Sequence, residues 1–270
     1  MSPRRLQIAL HGACGLALVL LVGGIAAQMA NDRIPATGGD ILITPITHAS
    51  VQIEFAGKVI HVDPVGAANY AQAPAGDLVL ITDIHGDHLD PAVIAKVRKP
   101  GAPVVAPEAA AAKIEGATVM ANGARETVAG VSIEAIAAYN LTRGPAAGQL
   151  FHTKGRGNGY VLTLGGKRIY LSGDTECTPE MKALKNIDAA FISMNLPYTM
   201  PPSEAAECAK AFKPHIVYPY HYRGQNLDEL VAALKGQPIE VRRLEWYPVR
   251  AVESAPYRFQ RQTFAIESTN

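Results

Sequence analysis

The sequence predicts an α/β protein in which two mixed β-sheets are sandwiched between helices. Three observations predict it. Short runs rich in Ile and Val, punctuated by turn residues, crowd residues 41–64. From residue 77 onward such runs alternate with helical spacing, the order that layered α/β folds produce. Several of the later runs end in Asp or His, at the strand ends where α/β proteins keep their chemistry.

The elements follow in order. ILITPIT (41–47), SVQIEFAG (50–57) and KVIHVDP (58–64) read as strands. DLVLITD (77–83) is a continuous apolar run closed by an acid, as in a strand buried on both faces. Asp90 is a good N-cap and Pro91 suits a first helical position, so PAVIAKVRK (91–99) reads as a helix. Strands follow at PVVAP (103–107), ATVMA (117–121), VSIEAIAA (131–138), GYVLTLG (159–165) and KRIYLSG (167–173). Thr178-Pro179 repeats the cap-and-proline signal ahead of a helix at EMKALKN (180–186). AAFISMN (189–195) and HIVYPYHY (215–222) read as strands, SEAAECAKAF (203–212) and LDELVAALKG (227–236) as helices, and IEVRRLEWYPV (239–249) as a last strand.

The 270 residues show no linker that divides residues 41–255, which read as one domain. NDRIPATGGD (31–40) reads as a linker before it, and residues 256–270 as a tail. Residues 1–30 read as a signal peptide or a membrane anchor: two arginines precede an uncharged apolar run at about 8–27. That implies an exported, periplasmic or extracytoplasmic protein, with anchoring to the inner membrane by the same segment as the alternative. The 25 basic and 24 acidic residues leave a net charge of +1, which gives no footprint for nucleic acid. Cys177 and Cys208 read as unpaired thiols at this spacing, although an oxidising compartment would permit a bridge.

The densest chemistry lies in ITDIHGDHLD (81–90). In an extended chain Asp83 and His85 project to one side, Gly86 permits a bend, and Asp87 and His88 fall in the turn before the capped helix. Four oxygen or nitrogen ligands thus converge at a strand end, where a divalent metal would bind. KRIYLSGDTE places Asp174 after another strand, and HIVYPYHYRG places His221 at the end of a third.

The order DxHxDH, GDT and YHY resembles the metallo-β-lactamase fold superfamily, and THASVQIEFAGKVIHVDPV resembles its UlaG-like hydrolase branch. The resemblance spans about residues 42–224. It implies an αββα sandwich holding one or two metal ions, most often Zn2+, with Mn2+ or Fe2+ as alternatives. Carried across, Asp87, His88 and His221 match the ligands of one metal position, Asp174 matches the bridging carboxylate, and His85 matches a ligand of the other position. Two residues depart from the pattern: Asp83 and Asn140 stand where the family usually has His. His152 is the candidate to replace the second of these as a ligand. His48 matches the branch's early histidine, and Asp63 is placed to orient ligand loops rather than to bind.

A bound divalent ion would lower the pKa of its water from 15.7 to about 7 and polarise the bond under attack. Asp87 or Asp174 would aim the resulting hydroxide, and no serine or cysteine nucleophile is required. The function implied is a metal-dependent hydrolase, of lactonase or phosphodiesterase type, acting on an ester, lactone or phosphodiester of a small molecule or lipid. His48, Asn140, Lys154, Arg156, Tyr198 and Arg223 are the candidate substrate contacts. Lys154 and Arg156 sit between glycines on a loop that suits an anion, or equally a solvated hairpin. The alternative function is a non-catalytic metal- or ligand-binding protein on the same fold.

Overall fold

A computed structural model describes residues 30–247, which form two seven-stranded sheets with helices flanking them. In the first sheet β1 (Asp32–Ala36), β2 (Gly39–Thr47), β3 (Ser50–Phe55) and β4 (Lys58–Val62) run antiparallel. Three parallel strands follow: β5 (Leu78–Leu80), β6 (Val104–Ala106) and β7 (Thr118–Val119). Helices α1 (Pro91–Val97) and α2 (Glu108–Ala111) make the crossovers between them.

The second sheet repeats this topology, although the sequence shows no internal repeat. Antiparallel β8 (Arg125–Val128), β9 (Val131–Ala138), β10 (Gly157–Leu164) and β11 (Lys167–Leu171) lead into parallel β12 (Ala189–Ser193), β13 (Ile216–Tyr220) and β14 (Glu240–Val241). The crossovers here are α3 (Pro179–Lys182), α4 (Pro202–Phe212) and α5 (Leu227–Leu234).

Burial follows from the residue pattern. β9 alternates, with Val131, Ile133 and Ala135 buried and Ser132 exposed. β5 is apolar throughout because both of its faces are covered. Leu78 and Leu80 join the core between the sheets with Ile41, Ile53, Tyr160 and Phe191, whereas Val79 packs in a second cluster with Ile94 of α1 and Ala110 of α2. Asp90 caps α1, its carboxylate accepting from the Ala92 and Val93 amides.

Several expectations are corrected. Residues 31–40 are not a linker. They form the β1–β2 hairpin, whose turn at Gly38-Gly39 takes φ of +92° and +131°, a conformation that reads as linker composition but is turn chemistry. Ile34 is buried, and Asp32 accepts from Tyr218 Oη at 2.6 Å and Arg242 Nη1 at 2.9 Å, which ties β1 to the second sheet. The helix expected over 180–186 ends at Lys182, and the last strand is reduced to Glu240–Val241. Helix α2 and strand β8 were not expected at all. Cys177 and Cys208 are joined in a disulfide, with Cα atoms 5.6 Å apart. The predicted targeting segment at 1–30, apart from Ala30, and the predicted tail at 256–270 lie outside the described residues. Among the described residues no helix is long and apolar enough to cross a membrane.

Candidate metal centre

The site gathers at the ends of strands from both sheets. Asp63, just past β4, is fully buried and takes a left-handed φ of +47°. Its Oδ1 accepts from the Thr82 amide at 2.7 Å, and its Oδ2 accepts from Thr82 Oγ1 at 2.5 Å and His88 Nδ1 at 2.7 Å. That last bond fixes the proton on Nδ1 of His88 and leaves Nε2 as the outward atom. Nε2 lies 3.2 Å from His221 Nε2 and 3.3 Å from Asp174 Oδ2.

Asp174 follows β11 and Gly173, whose φ is +62°; a Cβ there would stand 2.8 Å from the carbonyl oxygen of Asn158, so the turn requires glycine. His221 follows β13 at φ +49°, and its amide donates to the carbonyl of His48, itself at φ +49°. Backbone conformations this sparsely populated in non-glycine residues cost of order 1–3 kcal/mol each and gather where surrounding structure imposes them. His48 lies between Tyr247 Oη at 2.6 Å and Asp87 Oδ2 at 3.2 Å, with its ring 3.9 Å from that of His221.

The third corner is built on Asn140. Its Nδ2 donates to Glu176 Oε1 and the Tyr198 carbonyl, which makes Oδ1 the acceptor. Oδ1 receives the His152 amide at 2.8 Å and His152 Nδ1 at 2.7 Å. His152 Nε2 is therefore the free ring atom, 3.1 Å from Asp174 Oδ2. Glu176 also accepts from the Thr142 and Arg143 amides, and so shapes the loop that presents His152.

Asp83 and His85 form the fourth corner, with His85 Nδ1 2.9 Å from Asp83 Oδ2. Arg156 enters it. Its Nε and Nη2 meet the two Asp83 oxygens at 3.2 and 2.8 Å, and Nη2 lies 2.8 Å from His85 Nε2.

The charges are strongly coupled. Burial pulls the His88 imidazole down, but Asp174 and Asp63 on either side hold it well above the ordinary histidine value. Burial pushes Asp174 up, yet His221, His88 and His152 hold it well below the carboxylate range. Asp87 and Asp83 are lowered against the same burial, Asp87 by hydrogen bonds from His221 and His48, Asp83 by His85, His88 and Arg156. Burial takes His48 down to about 4, with Asp87 opposing the shift.

The residues fit a divalent ion. Asp174 Oδ1 is buried with no hydrogen-bond partner among the described residues, which is costly unless something else satisfies it. Convergent groups with metal-ligand geometry are His88, Asp174 and His221; His48, Asp87 and His221; and Asp83, His85 and His152, the ligand atoms of each lying within 4.8 Å of one another. Nitrogen and oxygen donors of this kind suit zinc, manganese or iron.

All the expected metal ligands are therefore brought together, His152 included. Three expected substrate contacts are corrected. Asn140 is buried behind His152 with its amide fully engaged, so it positions that histidine rather than facing a substrate. Lys154 is held by Glu180 Oε1 at 2.5 Å and lies over the Tyr139 ring, away from the ligands. Arg156 is bound into the ligand cluster instead of standing on a solvated hairpin. Tyr198 is half-exposed with its ring against Phe151, and Arg223 is exposed, its charge felt at His48. Glu176, Thr82 and Tyr247 were not singled out in the sequence. Only Glu176 carried a signal there, as the acid that extends the GDT turn.

This fold and site define a metal-binding α/β sandwich, and the chain belongs to the β-lactamase superfamily, whose domain model matches residues 42–221. It is 35% identical over 190 residues to a UPF0173 metal-dependent hydrolase from Thermococcus onnurineus, covering 65% of this chain and 81% of that one. A proposed metal-dependent hydrolase from Parabacteroides distasonis, solved by crystallography, is 42% identical with a TM-score of 0.75, covering 81% of this chain and all of that one. A metallo hydrolase from Ignicoccus hospitalis, at 22% identity, TM-score 0.62, and coverage of 76% and 94%, shares the fold.

Proposed function

We propose that the protein hydrolyses an ester, lactone or phosphodiester bond in a small molecule or lipid, using a divalent ion at His88, Asp174 and His221 with Asp87 beside it. The UlaG-like resemblance is compatible with this reading. The observation that carries it is the orientation of His88: Asp63 holds Nδ1, and Nε2 lies 3.2 Å from His221 Nε2 and 3.3 Å from Asp174 Oδ2, beside the other Asp174 oxygen, which has no hydrogen-bond partner among the described residues. Carboxylate-oriented histidine is the usual support of a metal ligand. An ion held there supplies a water of lowered pKa and a Lewis acid. Asp87, half-exposed and lowered well below the carboxylate range, stays ionised and would accept a hydrogen bond from the attacking water and so orient it. His48, neutral above about pH 4 and bonded to Asp87, fixes the direction of that carboxylate.

Leu141, Tyr198 and Leu196, at 45%, 41% and 40% exposure, rim the loops that carry Asn140 and suit an apolar group on the substrate. The disulfide supports export, because such bonds persist in oxidising compartments. Zinc is the expected ion, manganese or iron the alternatives.

The test is elemental mass spectrometry of the full-length protein and of Asp174→Ala, paired with hydrolysis of nitrophenyl esters, lactones and bis(nitrophenyl) phosphate. Metal-dependent turnover that disappears in Asp174→Ala is expected. Metal binding without turnover on any class would favour the non-catalytic binding protein. No divalent metal in either form would end the metal reading.

A further inference from the structure

We propose that the guanidinium of Arg156 takes the place of a second metal ion, so that the centre holds one ion beside a built-in organic cation. The inference rests on the metal-centre reading above and concerns the corner formed by Asp83, His85 and His152, whose ligand atoms lie within 4.8 Å of one another.

Three observations carry it. First, Arg156 occupies the groups a metal would use: both Asp83 oxygens, at 3.2 and 2.8 Å, and the His85 ring, whose Nδ1 and Nε2 lie 3.0 and 2.8 Å from Nη2. A zinc ion at this corner would have to compete with the guanidinium for those same donors. Second, the guanidinium is anchored. Nη1 donates to the Phe151 carbonyl at 2.8 Å, and the residue lies immediately before β10, which begins at Gly157. Its partner Asp83 is 2% exposed, so withdrawing the arginine would leave a buried, unpaired carboxylate. Third, a guanidinium cannot make way by losing its proton, whereas a histidine or lysine can.

The aspartate at position 83 then has a physical reason. Asp offers the planar pair of oxygens that an arginine fork matches, which a histidine does not. His152 is left to the single ion, because Asn140 points its Nε2 toward Asp174 Oδ2 at 3.1 Å.

The test uses full-length protein stripped with chelator and titrated with Co2+ alone, followed by visible absorption, with zinc content measured separately after dialysis. Wild type is expected to saturate at one equivalent and Arg156→Ala at two. His85→Ala, a change at a half-exposed side chain, is expected to leave the one-equivalent affinity within twofold. Two equivalents in wild type, one in Arg156→Ala, or a loss of tenfold or more in His85→Ala would each overturn the proposal. If Arg156→Ala does not fold, the wild-type and His85→Ala titrations decide alone. No binding by any form would instead overturn the metal centre itself, a separate failure.

Discussion

Replacing Asp63 by Asn tests how the centre is built. Asn can still accept the Thr82 amide at Oδ1, but its new NH2 group faces His88 Nδ1, now 2.7 Å from an acceptor. Two donors then oppose each other. His88 relieves the conflict by giving up its Nδ1 proton and keeping one on Nε2, the atom that faces Asp174 and His221. A protonated Nε2 cannot ligate, so metal binding must undo the new tautomer. Loss of such a supporting partner typically weakens metal binding 10- to 100-fold, or about 1.4–2.8 kcal/mol. The same figure appears in thermal stability. At a metal concentration about 1,000 times the wild-type Kd, binding stabilises the fold by about 4.1 kcal/mol; a 100-fold weaker site retains about 1.4. Competition against a chromophoric chelator measures Kd, and unfolding with and without metal measures the linkage. A Kd within twofold of wild type would refute the claim that Asp63 sets the tautomer of His88.

Other outcomes follow from single contacts. Asn140→Ala removes the acceptor for His152 Nδ1 and one of several donors to Glu176; about 1–3 kcal/mol of stability and about tenfold of metal affinity should be lost, and an unchanged chelator titration would sink the positioning role. The Cys177–Cys208 bridge closes a span of 31 residues, for which chain entropy gives about 3–4 kcal/mol; urea unfolding with and without reductant should show a loss of that order, and coincident curves would mean the bridge contributes nothing. His61 is buried with Nε2 on the Pro74 carbonyl at 2.9 Å, and burial holds it below the ordinary value. Between that lowered value and about pH 6.5 the unfolded chain binds the extra proton, so stability falls as pH drops below about 6.5, by at most about 1.4 kcal/mol per unit. His61→Gln should flatten that slope in urea unfolding between pH 5 and 7.5, and an unaltered slope would assign it to other groups.

The layered fold was legible because the chain writes it in local signals. Isoleucine- and valine-rich runs, two caps followed by proline and ligand residues at strand ends all act within a few residues. The ligand set was legible for the same reason, since DIHGDH, GDT and YHY each occupy one loop. What stayed hidden acts across distance. Nothing near Asn140 announces that its oxygen faces a histidine 12 residues on, and nothing near Arg156 announces an aspartate 73 residues back. A basic residue between glycines looks solvated until the fold brings Asp83 beneath it. The bridge between Cys177 and Cys208 was similarly invisible, because their approach depends on how the loop after β11 packs against α4. The hairpin at residues 31–40 was missed for a different reason: Gly-Gly serves linkers and tight turns alike, and only a partner strand separates the two.

The repeated topology explains why the centre lies where it does. Asp63 follows β4, the last antiparallel strand of the first sheet, and Asp174 follows β11, its counterpart in the second. The two carboxylates occupy equivalent places in the two halves, and the His88 imidazole spans them, Nδ1 on Asp63 and Nε2 toward Asp174. One ring therefore measures the offset between the sheets. That offset is set by the apolar layer between them, including Leu78 and Leu80 on one side and Tyr160 and Phe191 on the other. Interiors packed at crystal-like density hold such an offset tightly. The ligand geometry at His88 is thus inherited from the core, and an ion bound between His88, Asp174 and His221 joins the two sheets at the edge where their loops would otherwise part.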